Sequence, residues 1–139
     1  MSTQTDFLTS VNANRGALAE TMGIELTEVT PERLVGRMPV EGNTQPYGML
    51  HGGASVVLAE TLGSVGAALT AGEGRIAVGL DINATHHRAA RTGHVTGVAT
   101  RISGGRSVAT YDIVITDDEG QRLCTSRITC LLRDTPPGA

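Results

Sequence analysis

Apolar and polar positions alternate along most of the second half of the chain. Alternation with a period of two is typical of a β-strand that buries one face. The strands predicted from this pattern are residues 75–85, 94–103, 107–117 and 121–132. Short turns, such as Asp117-Asp118-Glu119-Gly120 between the last two, predict antiparallel pairing.

The first half of the chain contains helical as well as extended patterns. Residues 5–22 carry apolar side chains at helical spacing and are followed by Gly23, a frequent helix stop. The other predicted elements are a short extended segment at 24–29, a strand at 33–41, a loop at 42–51, a long apolar helix at 52–69 and a turn at 71–74. Pro39 suggests a sheet edge or a bulge, because proline cannot donate to a strand ladder.

This order of elements predicts an α+β domain with one antiparallel sheet of five or six strands. Helix 52–69 is the element apolar enough to cover the apolar face of that sheet. Because it is apolar nearly all round, we expect it to be buried on nearly all sides. The 139 residues predict a single domain over residues 1–139, with 133–139 as a loose tail.

Composition and charge argue against several classes of protein. The net charge of −3 differs from the basic balance of nucleic-acid binders. The N-terminal segment lacks the basic and apolar regions of a signal peptide, and no long uninterrupted apolar run predicts a membrane span. Cys124 and Cys130 are expected to be reduced thiols, too far apart on one strand to pair. These features predict a cytoplasmic protein that contacts neither nucleic acid nor membrane.

The segment between residues 42 and 72 contains one charged side chain, Glu60. An ionised carboxylate in apolar surroundings is costly unless it is paired or hydrogen-bonded, and helix 52–69 has no Lys or Arg. Glu60 therefore indicates a catalytic use or a partner from another element or subunit. A glutamate that simply reaches solvent or an arginine is the structural alternative.

The residues around Glu60 are typical of acyl transfer. Residues 51–53 (HGG) open the helix, where free N–H groups and the helix dipole can stabilise an oxyanion. Ser64 lies one turn after Glu60 and can hold a water or the carboxylate, and Gln45 can donate to a carbonyl. Each also has a plain structural interpretation: His51 as a helix cap, Ser64 as a packing residue and Gln45 as a loop amide.

Glu60 and Gly52 are too far apart on the helix to act together within one chain. At 1.5 Å per residue they are separated by about 12 Å. We do not expect one carbonyl group to contact both. The spacing therefore predicts a homodimer whose sites lie across the interface.

The segment QPYGMLHGGASVVLAETLGS resembles the signature of hotdog-fold acyl-CoA thioesterases, and the resemblance extends over roughly residues 35–132. The branch it resembles holds the Gln-and-Glu-type 4-hydroxybenzoyl-CoA thioesterase, phenylacetate-pathway thioesterases, the 1,4-dihydroxy-2-naphthoyl-CoA thioesterase and the enterobactin-pathway proofreading thioesterase. The spacing from HGG to Glu60 is fairly specific for this branch. The resemblance implies a hotdog fold, a sheet wrapped round one long helix, and hydrolysis without metal or other cofactor.

The resemblance also implies roles for the residues identified above. Glu60 would be the nucleophile or the general base for water, and Gln45 and the Gly52 amide would polarise the thioester carbonyl. His51 would help to position the substrate, and Ser64 matches a position where relatives carry Thr or Ser. Glu60 would come from one subunit and the carbonyl donors from its neighbour, in a homodimer that pairs into a homotetramer.

The expected substrate and CoA contacts come from a strand, the residues that follow it and a glycine turn. Arginines and the backbone N–H groups of such a turn suit phosphates. By resemblance these contacts are Gly79, His86, His87, Arg88, Ala89, Ser103, Gly104, Gly105, Arg106 and Ser107.

The branch implies an aryl- or aroyl-CoA substrate, such as hydroxybenzoyl- or dihydroxynaphthoyl-CoA. A non-catalytic acyl-CoA or small-ligand binding protein of the same fold is the main alternative. A hotdog dehydratase or hydratase is another, but the His with Asp or Glu of such enzymes is not found at matching positions. Adjacent His86 and His87 would point to opposite faces of a strand, so we predict no metal site.

Overall fold

A computed structural model describes residues 3–138 of the chain. Residues 1, 2 and 139, which belong to the predicted single domain, lie outside this range. The helices and strands of the described range are α1 (Gln4–Ala13), α2 (Ala17–Met22), β1 (Glu25–Val29), β2 (Arg33–Pro39), α3 (Gly52–Ala71), β3 (Arg75–His86), β4 (His94–Gly104), β5 (Val108–Thr116) and β6 (Arg122–Asp134). The six strands form an antiparallel sheet in the order β1-β2-β4-β5-β6-β3.

The sheet wraps round α3, which contacts all six strands. Leu58 and Leu62 on α3 are fully buried against the sheet. The helix approaches closely because it has glycines at this face: a Cβ at Gly66 would stand 2.7 Å from the ring of Tyr111. This arrangement confirms the predicted α+β architecture of a sheet around one long helix.

The side of α3 that faces away from the sheet is only partly covered. Gly53, Glu60 and Ala68 are exposed, so the expectation of burial on nearly all sides is wrong for the single chain. The reason is that one sheet covers one side of a helix, and the short α2 adds only a few contacts. By length and composition α3 would also suit a membrane span, but here one face is buried in the core.

The N-terminal helix is interrupted where the sequence pattern predicts continuity. Residues 5–22 form two helices because Gly16 takes a φ of +92°, outside the helical region. The second helix ends at Gly23 in the left-handed conformation, as predicted. This break turns Arg15 and Leu18 towards the uncovered side of α3.

Strand β3 lies at the edge of the sheet and carries a register shift between Gly79 and Asp81. Such a bulge reverses the alternation of faces along the strand. Ala77 and Ile82 pack against the core, whereas Val78 and Leu80 are 43% and 59% exposed. The outer edge of β3 therefore presents apolar side chains and unpaired backbone groups.

Two further predictions concern Pro39 and the C-terminal tail. Pro39 lies beyond the last β1–β2 pair, so its side of β2 has no partner strand there, in agreement with the predicted local edge. The predicted tail starts too early, because β6 continues through Asp134. The Asp134 carboxylate accepts a hydrogen bond from Arg75 at 3.0 Å, which holds the strand end in place.

Candidate active site

Glu60 projects from the third turn of α3 over the bulge of β3. A Cβ built at Gly79 would lie 3.5 Å from Oε2 of Glu60, so the carboxylate lies directly over this glycine at ordinary contact distance. Glu60 is exposed, and within residues 3–138 its carboxylate makes no ion pair or hydrogen bond to another side chain. The internal partner that the sequence left open is therefore not found in the described part of the chain.

The Glu60 carboxylate borders two cavities. The larger, of about 360 Å³, is lined by Arg15, Leu18, Val57, Glu60, Thr61, Ser64 and Val65. The smaller, of about 140 Å³, is lined by Glu60, Gly79, Leu80, Asp81, Ile82 and Ile128. Ser64 thus shares a cavity with Glu60, as their spacing on the helix predicts.

The buried Cys130 lies on β6 and pairs with Gly79, the residue that Glu60 contacts. Burial raises the pKa of Cys130, the negative charge of Glu60 raises it further, and a hydrogen bond with Ser64 opposes both effects. The sequence identified Cys130 only as a buried thiol, because its proximity to Glu60 depends on the pairing of β6 with β3.

A separate cavity of about 430 Å³ contains the other half of the predicted constellation. The predicted site residues that line it are Gln45, Gly52, His86, His87, Arg88 and Ala89. Its remaining walls, which the sequence analysis did not identify, are Met49, Leu50, Ser55, Ala90 and Leu123. Ser55 could have been suspected, since it lies one turn after Gly52 on the same face of α3.

The side chain of Gln45 stabilises the loop in which it lies. Its Oε1 accepts from the N–H of Tyr47, with a longer contact of 3.5 Å to the N–H of Met49. Because the oxygen is occupied, the side-chain NH₂ is the group left to interact with a substrate, and it donates to no acceptor within residues 3–138. Asn43 anchors the loop by donating to the carbonyls of Met22 and Pro39, each at 2.8 Å.

At the start of α3 the N–H of Gly53 is hydrogen-bonded to a side chain, whereas the N–H of Gly52 is not. His51 is the N-cap residue, and its Nδ1 accepts from the N–H of Gly53 at 2.8 Å. In the neutral ring the proton must then reside on Nε2. The N–H of Gly52 has no acceptor in the described part of the chain, as expected for the first residue of a helix.

Gly52 also provides room for His86. A Cβ at Gly52 would stand 2.9 Å from Nε2 of His86, closer than side chains tolerate. The His86 ring therefore packs directly over the helix start. His87 follows the end of β3, and its Nε2 lies 2.9 Å from Oγ1 of Thr125. Both histidines line the 430 Å³ cavity, so the expected alternation along a strand does not apply to this pair.

The structure separates the predicted catalytic residues into two groups. Gln45 and Gly52 share the 430 Å³ cavity, whereas Glu60 and Ser64 share the 360 Å³ cavity. None of the cavities above contains members of both groups. That a second chain supplies the missing half of the site stays a prediction. A site shared between two chains requires the two groups to be separated within one chain, as they are here.

The predicted CoA contacts are also divided. Residues 103–107 lie near the C-terminal end of α3, where Gly104 approaches Thr70 and the carbonyl of Arg106 accepts from Arg75 at 2.8 Å. His86 to Ala89 lie at the N-terminal end of the same helix. A 20-residue helix is about 30 Å long, so the two groups lie near opposite ends of α3.

The side chains in residues 3–138 contain no group of three or more His, Cys, Asp or Glu placed to hold a metal ion. Only Glu60 and Asp81 among such residues share the 140 Å³ cavity.

Comparisons with known proteins agree on one family, the thioesterase superfamily. Residues 47–124 match the family model described as the thioesterase superfamily. The chain is 47% identical over 124 residues to the proofreading thioesterase EntH of Cronobacter turicensis, covering 88% of this chain and 90% of EntH. It superposes on the crystal structure of thioesterase HI1161 from Haemophilus influenzae with a TM-score of 0.87 and 35% identity, covering 100% and 96% of the two chains.

A further solved relative is the thioesterase SAV0944 of Staphylococcus aureus. Its structure has a TM-score of 0.80 and 36% identity, covering 84% of this chain and 98% of that one. Two structures of SAV0944 carry alanine in place of a glutamine and of a glutamate, respectively, and these two positions are fifteen residues apart.

Proposed function

The chain belongs to the thioesterase superfamily and is a thioester hydrolase, and we propose that it hydrolyses an aryl- or aroyl-CoA to the free acid and CoA. The observation that carries this proposal is the unpaired carboxylate of Glu60 on the wall of a cavity that it shares with apolar side chains. Leu18, Val57 and Val65 supply the apolar surface for a ring, and Glu60 stands beside it as the charged group.

In the proposed reaction Glu60 acts on the thioester carbon or on a water next to it. As a general base, Glu60 removes a proton from water, the hydroxyl attacks the carbonyl carbon, and the C–S bond breaks. As a nucleophile, it forms a mixed anhydride with release of the CoA thiol, and water then hydrolyses the anhydride. Either route consumes one water and requires no metal or redox cofactor.

The carbonyl donors in this proposal are the side-chain NH₂ of Gln45 and the N–H of Gly52. Both are donors without an acceptor in the described part of the chain, and both line one cavity. The positive end of α3 adds to the stabilisation of the negative oxygen that forms during attack. Gln45 and Glu60 are fifteen residues apart, the same spacing as the glutamine and glutamate replaced in SAV0944.

We further propose that Glu60 of one chain meets Gln45 and Gly52 of another. The edge strand β3 supports this, because its 12 residues pair with β6 on one side and have no partner strand on the other side within residues 3–138, and Val78 and Leu80 are exposed. Glu60 borders the bulge of this same strand, so a partner on the β3 edge would approach the carboxylate. The proposal extends to a tetramer built from two such dimers and to a cytoplasmic enzyme.

The first test is thiol release from a panel of CoA esters by the wild-type protein and by Glu60→Gln. We expect turnover that favours benzoyl-type and naphthoyl esters over short and long aliphatic ones, and a loss of about 10³-fold or more in kcat for Glu60→Gln. Wild-type turnover by Glu60→Gln would refute the assigned role. Binding of CoA esters without turnover of any of them would instead favour the non-catalytic binding protein.

A mixing experiment tests the shared site. Glu60→Gln and Gln45→Ala chains are each expected to be inactive alone. In a statistical mixture half of the dimers are mixed and one of their two sites is intact, so about a quarter of wild-type activity should return. Failure of any mixture to regain activity, with mixed dimers confirmed by mass, would place the whole site within one chain.

A further inference from the structure

The cavity beside Glu60 contains a second charged side chain that the proposed chemistry does not use. Arg15 lines the same 360 Å³ space, opposite the apolar wall of α3. The guanidinium makes no ion pair in residues 3–138, and Glu60 is not within ion-pair distance of it. One cavity therefore holds an unpaired cation and an unpaired anion that do not neutralise each other directly.

Arg15 is held in its position by the segment that precedes it. Its Nη1 donates to the carbonyl of Asn12 at 2.8 Å. The Asn12 side chain in turn pairs with both backbone groups of Leu26 on β1, each at 2.8 Å. The end of α1 is thereby fixed to the edge of the sheet, so the guanidinium is ordered before any ligand binds, which lowers the entropic cost of binding.

The guanidinium has donors that the protein does not satisfy. The Nε of Arg15 is buried and has no acceptor within residues 3–138. A buried N–H without an acceptor destabilises the fold. Such a donor in a native protein is often satisfied by a group outside the chain, such as a water or a ligand. Arginine has only donors, and the group it binds must therefore be an acceptor.

We propose that Arg15 selects acyl groups that carry an oxygen acceptor remote from the thioester, either a hydroxyl or a carboxylate. This inference rests on the proposed function, because it assigns the Glu60 cavity to the acyl group. The apolar side chains of Leu18, Val57 and Val65 hold the ring, Glu60 faces the thioester end, and Arg15 binds the substituent. A hydroxyl suits the cavity better than a carboxylate, since Glu60 repels a second negative charge.

The test compares esters that differ in one group. The hydroxybenzoyl-CoA isomers carry the acceptor, the methylbenzoyl-CoA isomers have a similar shape without it, and carboxybenzoyl-CoA separates the carboxylate from the hydroxyl. We expect the wild-type protein to prefer the best hydroxyl isomer over its methyl counterpart by about 10- to 100-fold in kcat/KM, the range for a hydrogen bond to a charged group. Arg15→Met should abolish this preference and leave the methyl ester unchanged.

Matched variants separate selection from a structural role. Arg15→Lys should keep part of the preference, and Arg37→Met, at an exposed position of β2, should keep all of it. If Arg15→Met does not fold, judged by circular dichroism, Arg15→Gln is measured in its place. Equal losses on all esters, or no wild-type preference between hydroxyl and methyl esters, would overturn the inference.

The same esters distinguish this inference from the proposed function. Their dissociation constants are measured by calorimetry with Glu60→Gln, so that the preference is visible without turnover. An active Glu60→Gln protein would refute the role of Glu60. The effect of Arg15→Met on the ratio of hydroxyl-ester to methyl-ester binding would still test the role of Arg15. If Glu60→Gln loses kcat as expected but binds hydroxyl and methyl esters with equal affinity, only the role of Arg15 is refuted.

Discussion

Gly79 lies directly beneath Glu60, with 3.5 Å between Oε2 of the carboxylate and the position of a Cβ on the glycine. The two residues belong to different elements, α3 and β3, and the bulge after Gly79 shapes the strand at their contact. A methyl group at this position would be in ordinary van der Waals contact with the carboxylate, and a larger side chain would extend towards it.

The Gly79 position should therefore tolerate a methyl group but not a larger side chain. Gly79→Ala adds an ordinary van der Waals contact, and we expect kcat within about twofold of wild type. Gly79→Val should displace the carboxylate and lower kcat by about tenfold or more, because small displacements of a reacting group are costly. Thiol release and thermal unfolding are measured for both variants. Equal activity of the two would show that the Glu60 position does not depend on Gly79.

Gln45 offers a test of the carbonyl donor. Gln45→Glu keeps an oxygen that accepts from the N–H of Tyr47 and so preserves the loop, but it replaces the NH₂ donor with a negative oxygen. We expect kcat to fall by about 10²-fold or more in Gln45→Glu and in Gln45→Ala. Gln121→Ala, at an exposed turn position, serves as the control. Full activity in Gln45→Glu would remove this residue from the carbonyl site.

His51 has a structural role as a helix cap and a proposed role in positioning the substrate, and substitution can separate the two. Its Nδ1 caps α3, so His51→Ala should lower the free energy of unfolding by about 1 kcal/mol. His51→Asn should restore the cap and the stability while lacking the Nε2 donor. Urea unfolding and kcat are compared for both. A fully active His51→Asn protein would show that His51 is a cap alone, the plain interpretation considered from the sequence.

Tyr111 should make stability depend on alkaline pH. Burial raises the pKa of its phenol above the ordinary value of 10.0, and the hydroxyl bonds with Thr70 and the carbonyl of Pro31. Above pH 10.0 the unfolded chain releases the proton more readily than the folded chain, so stability is complete below that pH and falls as pH rises through it.

Replacement by phenylalanine provides the matched variant. Tyr111→Phe should lower the free energy of unfolding at neutral pH by about 1 kcal/mol, because the hydroxyl's partners lose a bond. It should also show a smaller further loss between about pH 9 and pH 11 than the wild-type protein. Urea unfolding at these pH values is the measurement. An identical alkaline loss in both proteins would assign it to other groups, such as the buried thiols of Cys124 and Cys130.

The fold was largely predictable because its signals are local. The alternation that predicts β4, β5 and β6 arises from residues that face a core every second position. The mostly apolar segment of helical length predicts α3 with an end within two residues of the observed one. Gly23 ended its helix as predicted, since the left-handed conformation favours glycine. Two local departures lie where glycine alters the path of the chain, at Gly16 and at the bulge after Gly79. The burial of α3 and the start of the tail were predicted wrongly because they depend on contacts with other elements.

The composition of the candidate site followed from the sequence, but its arrangement did not. A single charge in an apolar helix marked Glu60, and the HGG run marked the donors at the helix start. Only the tertiary structure placed Arg15 in the cavity of Glu60 and separated both from Gln45. It also paired Cys130 with Gly79, the residue that Glu60 contacts. These relations depend on strand order and helix packing between residues distant in the chain. Periodicity reports which face of an element is buried, but not which other element covers that face.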